Sequence, residues 1–139
     1  MNKHRDRFLS HGFSLLELLL VLALVSVLMS LALPQWQDQQ TKVRRQVAWL
    51  NLQHIALAQA EYQHQTGVVA ANIADLGVPN KDAGYDYLIR TQEKAFAIVA
   101  QVRASGSQQR DTACWQLIWH SLEGEYALDS LGARNVNCR

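Results

Sequence analysis

The chain has 139 residues with 13 basic and 12 acidic groups, a formal net charge of +1, and this balance gives no electrostatic case for nucleic acid as its main partner. Its length leaves room for one modest core rather than several independent ones. Five histidines are scattered without a close second ligand at zinc spacing, so neither a metal nor any other cofactor is expected.

Residues 1–12 form a short leader with Lys3, Arg5 and Arg7 that ends in Gly12. Behind it, the 19 residues from Leu15 to Leu33 are apolar except for Glu17, Ser26 and Ser30, enough for a membrane-spanning helix. The basic leader stays inside and the bulk of the chain goes out. Glu17 is the anomaly, because an acid at the centre of a membrane helix costs about 2.5–3.5 kcal/mol and calls for a partner. Cutting the chain between Gly12 and Phe13 would create one: a charged amine on Phe13, four residues from Glu17 and roughly 6 Å away along a helix. That amine can pair within the chain, or with Glu17 of a neighbouring copy staggered by about one turn.

Two plainer readings compete. A cleaved secretory signal has an apolar core of about 7–15 residues with small residues after it; here the core is longer, bears an acid near its start, and the polar boundary at Gly12 precedes it. An uncleaved anchor would let Glu17 snorkel to the interface.

The apolar run closes at Pro34, which lacks an amide proton and predicts a kink or short break in the helix. From 35 to 66 the helical period continues. Val43, Val47, Leu50 and Leu57 recur beside Ala48, Leu52, Ile55 and Tyr62 as one wide apolar face. Gln39, Lys42, Arg45, Gln46, Asn51, Gln53, Gln59 and Gln63 fill much of the remainder, and Gly67 marks the stop. Trp36 sits where an interfacial aromatic would, Trp49 is a core or subunit contact, and the cluster Lys42, Arg44 and Arg45 reads as a solvated helix face.

Residues 67–139 form the rest of the head. A connection from Val68 to Ala83 with one short helical turn leads into four strand signals: Tyr85 to Arg90, Ala95 to Val102, Cys114 to His120 and Glu125 to Leu128. Phe96, Ile98, Ala100 and Val102 alternate on one face, as do Trp115, Leu117 and Trp119. The expected fold is therefore α+β, an antiparallel four-stranded meander covered by a long amphipathic helix. Cys114 and Cys138, if exported to an oxidising space, are expected to form a disulfide worth about 3.5 kcal/mol; the alternative is a buried free Cys114 and a frayed Cys138.

The leader, the Gly12/Phe13 junction, Glu17 as fifth residue after it and the apolar run closed by Pro34 resemble the type IV pilins and the related pseudopilins of type II secretion. That resemblance implies the type IV pilin fold and cleavage after Gly12 by a prepilin peptidase that also methylates the Phe13 amine. It further implies storage in the inner membrane with the head in the periplasm, then assembly with other pilin subunits into a helical filament at the cell surface through Glu17 and a neighbour's Phe13 amine. The Gln-rich stretch before Asp111, then Cys114, Gly124 and Cys138, is similar to the C-terminal half of certain minor pilins with a short disulfide-bonded sheet, and in pilins a disulfide near the C-terminus often encloses a variable loop. Removing the leader leaves ten basic and eleven acidic groups, a net charge of −1. Roles in adhesion, twitching motility, secretion or natural competence fall within the same family. DNA uptake would use Arg103 and Arg110 near the loop 104–111. No G-x-S-x-G, H-E-x-x-H or phosphate-cradling glycine loop is present, so a membrane-anchored enzyme has little support and the chain is expected to be a substrate of the peptidase rather than an enzyme.

Overall fold

The computed structural model describes residues 14–92 and 95–138, and within them the side chains of all but Leu33 and Pro34. The leader, Gly12 and Phe13 lie outside the described residues. One helix, α1 (Leu15–Thr66), is followed by four strands, β1 (Tyr85–Thr91), β2 (Phe96–Val102), β3 (Gln116–His120) and β4 (Gly124–Leu128). Of the kink or short break expected at Pro34, the break is not found: α1 runs on through that position. A proline removes a single ladder bond, and the flanking bonds can hold the helical path.

The chain divides into two compact units, Met1–Asp38 and Gln39–Arg139. In the first, each residue from Leu15 to Ala32 is exposed, including the leucines and valines that would be buried in a soluble core. Ser26 and Ser30 donate their hydroxyls to the carbonyls of Ala23 and Val27, at 2.8 and 2.7 Å. Their polarity is thus absorbed by their own helix, and the segment presents an apolar surface long enough to cross a membrane.

The second unit is the head. Its sheet has the order β1-β2-β3-β4, all neighbours antiparallel, as expected from the four alternating segments. Register places Tyr87, Ala100, Leu117 and Ala127 in one cross-strand row, and all four are buried. Ile98 and Val102 extend that inner face, against which α1 sets Ala48, Leu52, Ile55 and Ala56. The outer face is not wholly polar: Leu88, Val99, Ile118 and Tyr126 align across the strands, with Val99 and Ile118 buried. Arg134 lies over the Tyr126 ring, 4.1 Å from its centre, and shields one end of this row.

Glycines stand at two element boundaries where a side chain would strain the backbone. Gly67, at φ 77°, follows α1 and donates to the carbonyl of Gln63 at 2.8 Å; Gly124, at φ 76°, opens β4. The connection between helix and sheet contains one 3₁₀ turn, Ile73–Leu76, whose Ile73 plugs into the core.

The helix departs from the single wide face expected of it. Ala48, Leu52 and Ile55 are buried, yet Val43, Val47, Leu50 and Leu57 are exposed. At about 100° per residue these two sets lie on opposite sides of α1. Gln59, expected among the solvent-facing residues, belongs to the buried side at 0% exposure, and neither atom of its amide makes a hydrogen bond with the protein. A buried amide without partners costs on the order of 1–3 kcal/mol, so Gln59→Met, which keeps the length of the side chain, is expected to raise the stability of the head by about 1 kcal/mol in denaturant unfolding.

Candidate functional site

At the start of α1, Ser14 precedes the first helical residue and its hydroxyl accepts from the amide of Leu16 at 3.3 Å, while its carbonyl accepts from Leu18 at 3.1 Å. This is an N-cap. Glu17 stands three residues after it, in the first turn and exposed. The Ser14-x-x-Glu17 spacing is that of a capping box. A carboxylate here also faces the positive end of the helix dipole. The value of Glu17 as a first-turn acid is legible in the S-x-x-E pattern, beside its cost in lipid. Together these residues present one acid at the tip of an otherwise apolar rod.

The second cluster ties the helix to the end of the chain. Cys114 and Cys138 form a disulfide, as expected, with an S–S distance of 2.05 Å. Both ends of this bond are anchored on neighbouring turns of α1. The indole of Trp49 donates to the carbonyl of Cys138 at 3.0 Å. On the other side, the carboxylate of Asp111 accepts from the amide of Cys114 at 3.2 Å and from a two-pronged Arg45, whose Nε and Nη2 both approach at 2.6 Å. Gln108 bridges the same carboxylate at 2.8 Å to the backbone carbonyl of Thr41 at 3.1 Å.

Asp111 is almost wholly enclosed, with its side chain 2% exposed against 17% for Arg45. The hydrogen bond to Asp111 raises the Arg45 guanidinium above its ordinary value, with burial pulling the other way. Arg44 donates to the carbonyl of Ser107 at 3.1 Å. The basic cluster is therefore not a solvated face: Arg44 and Arg45 clamp the loop between β2 and β3, and Lys42 alone of the three is exposed. Sequence reasoning missed this, because Arg45 and Asp111 are 66 residues apart and nothing local couples them.

A third polar group closes the opposite flank of α1. Asp82 accepts from the amides of Gly84 and Tyr85, both at 2.8 Å, from Asn51 at 3.2 Å and from the hydroxyl of Tyr87. Burial first, and the Asp82 bond second, hold the Tyr87 hydroxyl well above the usual tyrosine range; burial does the same for Tyr85, seconded by the charge of Asp111. An unfolded tyrosine ionises near pH 10, so the unfolded chain releases these protons before the native one. Stability contributed by the two neutral hydroxyls is full below about pH 10 and is lost as the pH rises beyond it.

Arg103 forks onto Asp86 at 2.8 and 3.0 Å and reaches the carbonyl of Tyr85 at 3.4 Å, so it is engaged within its own sheet, whereas Arg110 is exposed. Among the described residues no three His, Cys, Asp or Glu side chains come together as metal ligands.

A long helix with an acid near its start, laid in its outer half on an antiparallel meander with a disulfide-bonded end, is a type IV pilin-like fold. The comparisons agree. The family described as the prokaryotic N-terminal methylation motif matches residues 7–33, which contain Gly12, Phe13 and Glu17. Two curated relatives, both named type IV major pilin protein PilE1 and both from Neisseria gonorrhoeae, are 31% and 30% identical over 100 residues, or 70% of this chain. The chain spans 61% and 56% of their lengths. The chain thus carries the N-terminal methylation motif and is similar to the type IV pilins.

Two outcomes are expected of this site. Asp111→Asn strands a half-buried guanidinium and should destabilise the head by about 3 kcal/mol; Arg45→Met added to it should cost little more, read as a double-mutant cycle in denaturant unfolding. In an alkaline absorbance titration, Tyr85 and Tyr87 should ionise only with unfolding, and Tyr87→Phe should shrink the step that accompanies it.

Proposed function

We propose that the chain is a structural subunit of a type IV pilus, stored in the inner membrane with its head in the periplasm and then drawn into a helical filament by an assembly machine. A prepilin peptidase cuts between Gly12 and Phe13 and methylates the new amine. Glu17 then pairs with the Phe13 amine of a neighbouring subunit. The observation that carries this reading is the placement of Glu17, an exposed acid in the first turn of a helix whose next fifteen residues are exposed and, but for two self-bonded serines, apolar.

The physical reason is one of charge cancellation. A carboxylate leaving the lipid interface for the apolar interior of a filament carries a desolvation penalty, and an amine at one defined position offsets it only for a neighbour at the right stagger. Pairing therefore selects register as well as favouring entry. Before assembly, Glu17 near the cytoplasmic end of the span can reach the headgroup region. The subunit is assigned as a minor one on the resemblance of its Cys114 to Cys138 region to the minor pilins, and immunogold labelling along purified pili tests that assignment.

Glu17→Ala is expected to leave membrane insertion intact and to reduce incorporation into filaments, measured by fractionating membranes and sheared pili. Unchanged incorporation would rule out the docking role. Mass spectrometry of the mature N-terminus should find methylated Phe13, a result that a plain uncleaved anchor cannot give.

A further inference from the structure

From Gln39 to Thr66, α1 is apolar on two opposite sides, and the sheet covers one of them. The other carries Val43, Val47, Leu50 and Leu57, exposed by 46, 45, 64 and 71%. Their spacing is that of a heptad seam, with Val43, Leu50 and Leu57 at one repeating position and Val47 and His54 at the other. A helix apolar on both sides is ordinarily covered on both, and exposed apolar rows of this kind mark interaction surfaces.

We propose that this row is a homotypic seam: in the membrane, two copies of the chain pair α1 to α1, parallel and in register, along Val43 to Leu57. The inference rests on the membrane placement of the apolar segment in the reading above, and not on entry into a filament. Identical copies anchored by the same segment point the same way and stand at the same height. The row of one copy therefore meets the same row of the other.

Several features fit a like-with-like contact. The head packs on the far side of the helix and leaves the row open. The flanking residues Gln46, Asn51 and Gln53 are uncharged, so no like charges are forced together there. Arg44, the flanking cation, is turned onto the Ser107 carbonyl of its own head. His54 supplies the single polar side chain within the seam, a device that fixes register at some cost in stability. Glu61 occupies the next seam position, where two facing carboxylates would repel, which ends the contact at Leu57. Two heptads, about 21 Å of helix, are too few to hold helices together in water. Confinement to a membrane raises the effective concentration and removes that obstacle.

The test uses the full chain in its membrane, where the two native cysteines are already bonded to each other. Under mild oxidation, Val43→Cys, Leu50→Cys and Leu57→Cys should each give a covalent dimer on a non-reducing gel. Lys42→Cys and Ala60→Cys, about 100° off the seam, should not. His54→Leu should increase the dimer formed by Leu50→Cys, and Leu50→Glu should abolish the dimer formed by Val43→Cys while the head stays protease-resistant. Adding Glu17→Ala should leave the crosslink intact even where it lowers filament incorporation, so the two readings fail separately. Equal crosslinking at all five positions, monomer at every seam position, or coupling of Leu50→Cys to Leu22→Cys on another copy in place of itself would each overturn the proposal; the last would make the membrane segment of a neighbour the occupant of the row.

Discussion

The head depends on one enclosed carboxylate. Asp111 collects the fork of Arg45, the amide of Cys114 and the side chain of Gln108, and thereby fixes the helix, the loop between β2 and β3 and the disulfide against one another. A carboxylate buried this deeply is tolerable because its lone pairs are filled by charged and neutral donors at good distance. The disulfide contributes its share through the unfolded chain, by closing a loop of 24 residues' separation. The Asp111 network does something different: it decides where on the helix that closed loop sits. With Trp49 holding the Cys138 carbonyl one turn along, both ends of the disulfide are seated on α1.

A second constraint is the division of labour along and around α1. From Leu18 to Ala32 it is apolar on all sides but for two self-bonded serines, which suits lipid and no soluble core. Its outer half keeps two apolar sides, one filled by Leu52, Ile55 and the sheet, the other left to Val43, Val47, Leu50 and Leu57. The polar residues between them are used as clamps. Arg44, Arg45, Asn51 and Gln53 all reach from the helix to the head. The helix is thus fastened along both flanks of its buried side, and this leaves the opposite side free of polar ties.

Much of this was legible from residue order. The strands announced themselves through period-two alternation from Tyr85 onward, the helix stop through Gly67, a short helical turn somewhere between Val68 and Ala83 through the broken pattern there, and the pairing of Cys114 with Cys138 through number and compartment. What failed did so for a common reason. The apolar face was drawn too wide because hydrophobicity marks which residues avoid water and not which partner covers them, so Val43 and Leu52 looked alike. Gln59, Arg44 and Arg45 were placed in solvent because their polarity is local information, whereas their burial follows from groups brought in from elsewhere in the chain.

By itself, then, the sequence determined the membrane-length segment, the acid set near its start, the motif spanning residues 7–33 and the succession of helix and strands, because each is written in composition or short-range period. The tertiary structure alone decided which side of α1 meets the sheet, which of the basic residues is clamped, and that Asp111 rather than any other carboxylate holds the disulfide to the helix. These are contacts between residues tens of positions apart, and their energies depend on burial and geometry that no local pattern encodes.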